Sequence, residues 1–210
     1  MSLFVTFEGI EGSGKTTHLR HLAVHLRATG QVVVETREPG GTRAGLAVRA
    51  LLLGTEAVPL SPLAELLLYC ADRAQHVERV ILPALAAGRI VLCDRFLDST
   101  ITYQGYGRGL DLDSVRALDA TARTGLWPEL TFLLDCPVAV GLARARERPG
   151  AADDRFERET IAFHERVRAG FAALAAAEPA RFCILDSTAP IAEVQARMIA
   201  AAERRLGVGR

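Results

Sequence analysis

A lysine and a threonine set behind a run of glycines are the residues of this chain best placed to do chemistry. Gly9-Ile10-Glu11-Gly12-Ser13-Gly14-Lys15-Thr16 fits the pattern G-x-x-x-x-G-K-[ST] at every fixed position, with Thr17 directly after it. A polyphosphate has to be held by many donors at once. Glycines let backbone N–H groups turn toward the phosphates, and a following helix adds its positive N-terminal end. Lys15 adds a mobile cation, and the Thr16 hydroxyl can ligate Mg²⁺. The motif follows an apolar run (Leu3, Phe4, Val5, Phe7) and precedes a helical pattern (Leu19, Leu22, Leu26), the strand-to-helix context it requires. A glycine-rich turn that binds nothing is the bland alternative. The loop speaks for a nucleotide and leaves the reaction open.

Other reactive groups follow along the chain. Asp94 closes the apolar run Ile90-Val91-Leu92-Cys93, where a second carboxylate of a phosphate-loop enzyme would bind Mg²⁺ directly or through water. Arg95 comes next, and its planar fork could span donor and acceptor phosphates; a local ion pair capping the strand is the other reading. Glu11 is an acid among phosphate-binding amides, which is costly unless it meets a donor or a metal, so it calls for a partner. Tyr69 and Arg73 stand four apart on a helical pattern and share a face, offering a flat ring beside a guanidinium donor; an amphipathic helix with a solvated Arg73 is the reading the residues alone favour. Arg144, Arg146 and Arg148 precede Pro149-Gly150. On a straight helix Arg144 and Arg148 share a face while Arg146 points elsewhere, so all three cannot meet one phosphate without a bend at the Pro-Gly. His21 and His25 are spaced for one helix face, more in keeping with a solvated surface than a metal site.

These groups need a scaffold, and the apolar pattern supplies one. Leu3 to Glu8, Val32 to Thr36, Arg89 to Cys93, Leu130 to Asp135 and Phe182 to Leu185 are short apolar runs without strict alternation, as strands covered on both faces require. Helical patterns separate them, including a long one from Pro62 to Ala87, and Gly30 and Gly88 are placed to end helices. The expected architecture is α/β: a five-stranded parallel sheet with helices on both faces. In such sheets function gathers beyond the carboxyl ends of the strands. There the chain places the phosphate loop, Arg37-Glu38-Pro39-Gly40-Gly41-Thr42, Asp94-Arg95-Phe96 and Asp186-Ser187-Thr188.

Whole-chain properties narrow the partners. The 210 residues suit one domain, half are hydrophobic, and the formal charge is zero, which argues against a dedicated nucleic-acid binder. Cys70, Cys93, Cys136 and Cys183 sit in apolar runs without C-x-x-C spacing and read as reduced, buried thiols. No basic-then-apolar leader and no long uninterrupted apolar stretch is evident, so a cytoplasmic protein off the membrane is expected.

FEGIEGSGKTT, TREPGGT, LLLYCADRAQH and CDRFLDSTITYQGYGRG, in this order and at these intervals, resemble the bacterial thymidylate kinase family over nearly the full chain. The resemblance implies a three-layer fold of the phosphate-loop NTPase type and transfer of a phosphoryl group from ATP, with Mg²⁺, to dTMP. It further implies a short lid at about residues 142–156 and a homodimer. Carried over residue by residue, Tyr69 would stack on thymine and Arg73 hydrogen-bond it. Thr100 and Gln104 would contact the base, Tyr103 would crowd the sugar, and Pro39 would wall the pocket. Glu11 would reach the sugar 3′-hydroxyl. No arginine stands in the phosphate loop, so the catalytic cations beside Lys15 and Arg95 would come from Arg144, Arg146 and Arg148. Two other readings compete: a kinase of the same fold acting on a neutral nucleoside hydroxyl, which needs a carboxylate base, and a nucleotide switch. The switch expects Asn-Lys-x-Asp after a late strand, where this chain has Leu185-Asp186-Ser187-Thr188-Ala189-Pro190.

Overall fold

The computed structural model describes residues 2–54, 59–147 and 155–207. Five strands, β1 (Leu3–Glu8), β2 (Val33–Arg37), β3 (Ile90–Asp94), β4 (Leu130–Asp135) and β5 (Phe182–Asp186), form one parallel sheet in the order β2-β3-β1-β4-β5. Each lies within a residue of its expected run. The central strand, β1, pairs on one side with β3, Phe7 opposite Asp94, and on the other with β4, Phe7 opposite Phe132.

The pleat explains why the strands carry apolar residues on both faces. Leu3, Val5 and Phe7 of β1, with Leu92 and Phe132, face a core completed by α1 (Lys15–Ala28) and α9 (Ile191–Leu206), which contribute Leu19, Leu22, Leu26, Val194 and Met198. Phe4, Val91, Cys93 and Leu133 face the opposite layer. That layer comprises α3 (Pro62–His76), α5 (Leu97–Thr100), α6 (Leu112–Ala122), α7 (Val138–Arg146) and α8 (Ile161–Ala177), and α2 (Arg43–Leu53) packs on α3. Three layers around one sheet result.

The long helical pattern from Pro62 to Ala87 is interrupted. After α3 the chain makes a π-helical turn (Val77–Ile81) and then α4 (Leu82–Ala86), with Pro83 in its first turn. Proline lacks the N–H that would continue the ladder, and the wider turn just before it absorbs the mismatch. A second π-helical segment, Ile101–Gly107, continues α5 and carries Tyr103 and Gln104 inward, both buried. A short 3-10 turn, Arg155–Arg158, leads into α8. Gly30 and Gly88 follow α1 and α4 with left-handed φ, as the pattern suggests.

Candidate active site

The phosphate loop joins β1 to α1 and leaves no room for side chains at Gly9 and Gly12. A Cβ on Gly12 (φ +68°) would overlap the carbonyl of Gly141 in α7, and one on Gly9 (φ +139°) would lie 2.5 Å from the Leu134 carbonyl. Lys15 Nζ donates to the carbonyls of Gly9 (3.0 Å) and Ile10 (2.8 Å) and to Ser13 Oγ (3.3 Å). Burial, helped by the nearby Arg95 guanidinium, lowers the Lys15 ammonium pKa to about 8 against the pull of Asp94, Glu11 and Glu8. Thr16 Oγ1 donates to Asp94 Oδ2 at 2.5 Å, so the two expected metal ligands meet at the mouth of the loop. Thr17 and Gly14 line the cleft beside them, whereas Ile10 is buried in the core and takes part only through its backbone.

Arg95 adopts a left-handed backbone (φ 71°), a conformation that costs a side-chain-bearing residue about 1–2 kcal/mol. Glu8, the last residue of β1, holds the turn in place. Its carboxylate accepts from the Phe96 N–H (2.8 Å), the Ser99 N–H (3.4 Å) and Ser99 Oγ (2.6 Å). The Arg95 guanidinium then donates to Ser99 Oγ (3.1 Å), the Gly9 carbonyl (3.2 Å) and Glu11 Oε1 (2.9 Å), and lies over the Tyr103 ring. Burial, and after it the neighbouring Asp98, push the Glu8 carboxyl up to about 8.

Glu11 has the partners its position demanded. Arg95 pairs with one oxygen, Tyr103 Oη donates to the same oxygen at 2.6 Å, and His164 Nδ1 stands 3.3 Å from the other. Burial raises its pKa, but Arg95, His164, Lys15 and Tyr103 together outweigh it and hold the carboxyl at about 2. Arg95 is correspondingly held well above its ordinary value, with Tyr103 and Glu11 overcoming the penalty of burial.

Arg73 is not solvated; it is 1 % exposed and is the centre of a buried network. Its Nε and Nη2 pair with Glu38 Oε2 (2.9 and 2.7 Å), and Nη1 donates to Thr100 Oγ1 (2.9 Å) and Asp119 Oδ1 (2.7 Å). Three of the five guanidinium protons are thereby hydrogen-bonded and Nη2 is ion-paired with Glu38, with Arg73 at the cleft wall. Glu38 also meets His76 Nδ1 at 2.8 Å and precedes Pro39 through a cis peptide, and Arg49 donates to the Pro39 carbonyl. Gln104 Nε2 donates to the buried Glu65.

A cleft of about 1040 Å³ joins both halves. Its lining includes Lys15, Thr16, Asp94 and Arg95 at one end and Pro39, Tyr69, Arg73, Thr100 and Gln104 at the other, with Glu11 and Tyr103 between them. Arg144 lines it too, while donating to the Ser187 carbonyl (3.0 Å). Arg146 is exposed on α7 and is not part of the lining. Arg148 and residues 149–154 of the expected lid lie outside the described residues. Glu8, Glu38, Ser99, Asp119 and His164 were not anticipated as site residues. Glu8, an acid ending a largely apolar strand, and Glu38, in the polar turn after the second strand, carried a local signal.

A strand, a phosphate loop and a helix start, with a carboxylate on the neighbouring parallel strand and a second pocket across the cleft, define a phosphate-loop kinase of the α/β class. The family model "Thymidylate kinase" matches residues 7–198. The chain is 51% identical over 213 residues to the thymidylate kinase of Geotalea uraniireducens, covering all of both chains, and 55% identical over 204 residues to that of Synechococcus sp. (strain JA-2-3B'a(2-13)), covering 97% of this chain and 96% of the relative. A crystal structure of thymidylate kinase from Ehrlichia chaffeensis superposes with a TM-score of 0.77 at 36% identity, covering 96% of this chain and 98% of that one. The chain belongs to the thymidylate kinase family.

Proposed function

We propose that the protein phosphorylates dTMP to dTDP, taking the γ-phosphoryl group of ATP by direct in-line transfer. The observation that carries this reading is one continuous cleft in which Glu11 and Arg95 stand between a phosphate loop and a pocket of base-sized, hydrogen-bonding character. In that pocket Tyr69 offers a flat ring, and Arg73 brings its guanidinium to the wall. Thr100 accepts from Arg73 and keeps its own O–H as a donor, and Gln104 retains its carbonyl. These groups complement the carbonyl and imide edges of a thymine.

The acceptor's charge state separates the two kinase readings. A neutral nucleoside hydroxyl needs a base to take its proton. Glu11, held at about 2 and committed to Arg95 and Tyr103, is a poor one, and Asp94 is committed to Thr16. A monophosphate already carries anionic oxygens, so positioning and charge neutralisation suffice. Lys15 and Arg95, both close to Glu11, supply that charge, and Arg144 adds a third cation in the cleft lining. Thr16 Oγ1 and Asp94 Oδ2 are adjacent hard oxygen donors, which fits Mg²⁺, a cation typically held by one or two protein oxygens together with substrate phosphates. Mg²⁺ at that point would neutralise charge on the transferring phosphates.

We read residues 142–156 as the lid of a single domain, since Arg144 within it, Phe156 at its end and Glu157 just after it line the cleft. Leu63 and Leu67 on one face of α3, with Leu51 on α2, are exposed and suit a homodimer contact. The four cysteines are free, and no helix among the described residues is long and apolar enough to cross a membrane, which supports a cytoplasmic enzyme.

ADP formation with dTMP compared with thymidine as acceptor tests the reading. Turnover is expected with dTMP alone, and Lys15→Ala and Arg95→Ala should each lower kcat by ~100-fold or more. Activity confined to thymidine would overturn the proposal, and near-normal turnover in either variant would remove that residue from catalysis.

A further inference from the structure

His164 is fully buried, and the mechanism above makes no use of it. It sits in the first turns of α8, the helix that follows the 3-10 turn 155–158, and its ring packs edge-on against Phe163. Neither ring nitrogen has a hydrogen-bond partner among the described residues, except that Nδ1 lies 3.3 Å from Glu11 Oε2. Glu11 Oε2 is itself buried and has no other partner among the described residues, because Arg95 and Tyr103 both use Oε1. Two orphaned polar atoms face each other. Leaving either unpaired in a buried site is unfavourable, and the tautomer with its proton on Nδ1 satisfies both at once.

We propose that His164 is a positioning residue that donates from Nδ1 to Glu11 Oε2 and fixes the rotamer of the acid standing between the two halves of the cleft. Arg95 and Tyr103 hold one oxygen of Glu11 from the β3 and π-helical side. His164 holds the other from α8, so the carboxylate cannot rotate away from Arg95 and Tyr103. The arrangement also ties α8, just beyond the lid segment, to the loop before α1. The kinetic consequence rests on Glu11 lying against the acceptor; the pairing itself does not.

Two measurements separate these. In protein carrying ¹⁵N-labelled histidine, the His164 ring should show a protonated Nδ1, and Glu11→Ala should shift both of its nitrogen signals. A proton on Nε2, or signals indifferent to Glu11→Ala, would overturn the proposal. In steady-state kinetics His164→Leu should lower kcat/KM for dTMP about 10-fold or more, the scale of a hydrogen bond to a charged group, with the KM for ATP unchanged. Asparagine places an amide near the Nδ1 position and should recover most of the loss, whereas glutamine, which mimics Nε2, should not; that pair decides even if the leucine variant does not fold. On a Glu11→Ala background the His164→Asn and His164→Gln variants should be equal. A persisting difference between them there would mean that His164 acts on something other than Glu11. Intact dTMP use by Glu11→Ala, with the ring shift present, would instead remove Glu11 from the acceptor site and leave the pair standing.

Discussion

Lys15 and Glu8 show how burial prepares single residues for opposite tasks. Lys15, lowered to about 8, is partly deprotonated at mildly alkaline pH, and a bound triphosphate would restore its charge. Calorimetric titration with MgATP at pH 8, in buffers of different ionisation enthalpy, should reveal proton uptake on binding that is lost at pH 6.5 and in Lys15→Met. Buffer-independent heats at pH 8 would contradict this. Glu8 is raised from 4.5 to about 8, so between these values the native protein holds a proton that the unfolded chain has released. Its contribution to stability is therefore complete below pH 4.5 and is lost as pH rises through 8. Glu8→Gln should flatten the fall in denaturation midpoint across that window; an unchanged slope would assign it to another group.

Among the elements, the joint between α3, α6 and the end of β2 does most to shape the acceptor pocket. Arg73 on α3 binds Glu38 after β2 and Asp119 on α6, all nearly inaccessible to water. Removing one partner of such a buried network leaves uncompensated charge. Arg73→Ala should accordingly lower unfolding stability by about 3–5 kcal/mol in urea denaturation, besides its effect on dTMP. A loss below ~1 kcal/mol, the range of exposed pairs, would mean that the network carries little of the fold. The π-helical segment 101–107 matters in the same way. It continues α5 with a wider turn and carries Tyr103 to Glu11 and Gln104 to Glu65.

At the scale of the whole molecule, the sheet order β2-β3-β1-β4-β5 gathers the phosphate loop, the Glu38–Pro39 turn, Asp94–Arg95 and the Asp186–Thr188 turn along one edge. The opposite question is what the exposed leucines of α2 and α3 do. If they form a homodimer contact, Leu63→Glu combined with Leu67→Glu should yield a monomer by light scattering while the wild type runs at twice the chain mass. A monomeric wild type at micromolar concentration would dismiss the contact.

Several features were legible in the amino-acid order alone because they depend on local sterics and periodicity. The phosphate loop needs glycines at fixed spacing. The strands need unbroken apolar runs, and Asp94–Arg95 needed only to end one of them. These determined the fold class and, with the four family blocks, pointed to the phosphate loop and to Tyr69, Arg73, Thr100 and Gln104, which line one cleft with it. The tertiary structure alone decided which charges meet. It buried Arg73 where an amphipathic pattern allowed solvation, and it left Arg146 outside the cleft. It also brought Glu8 to the turn at Phe96 and His164 against Glu11, partners far apart along the chain. Such pairings depend on how helices of the second layer cross the strand ends, and no local pattern encodes that crossing.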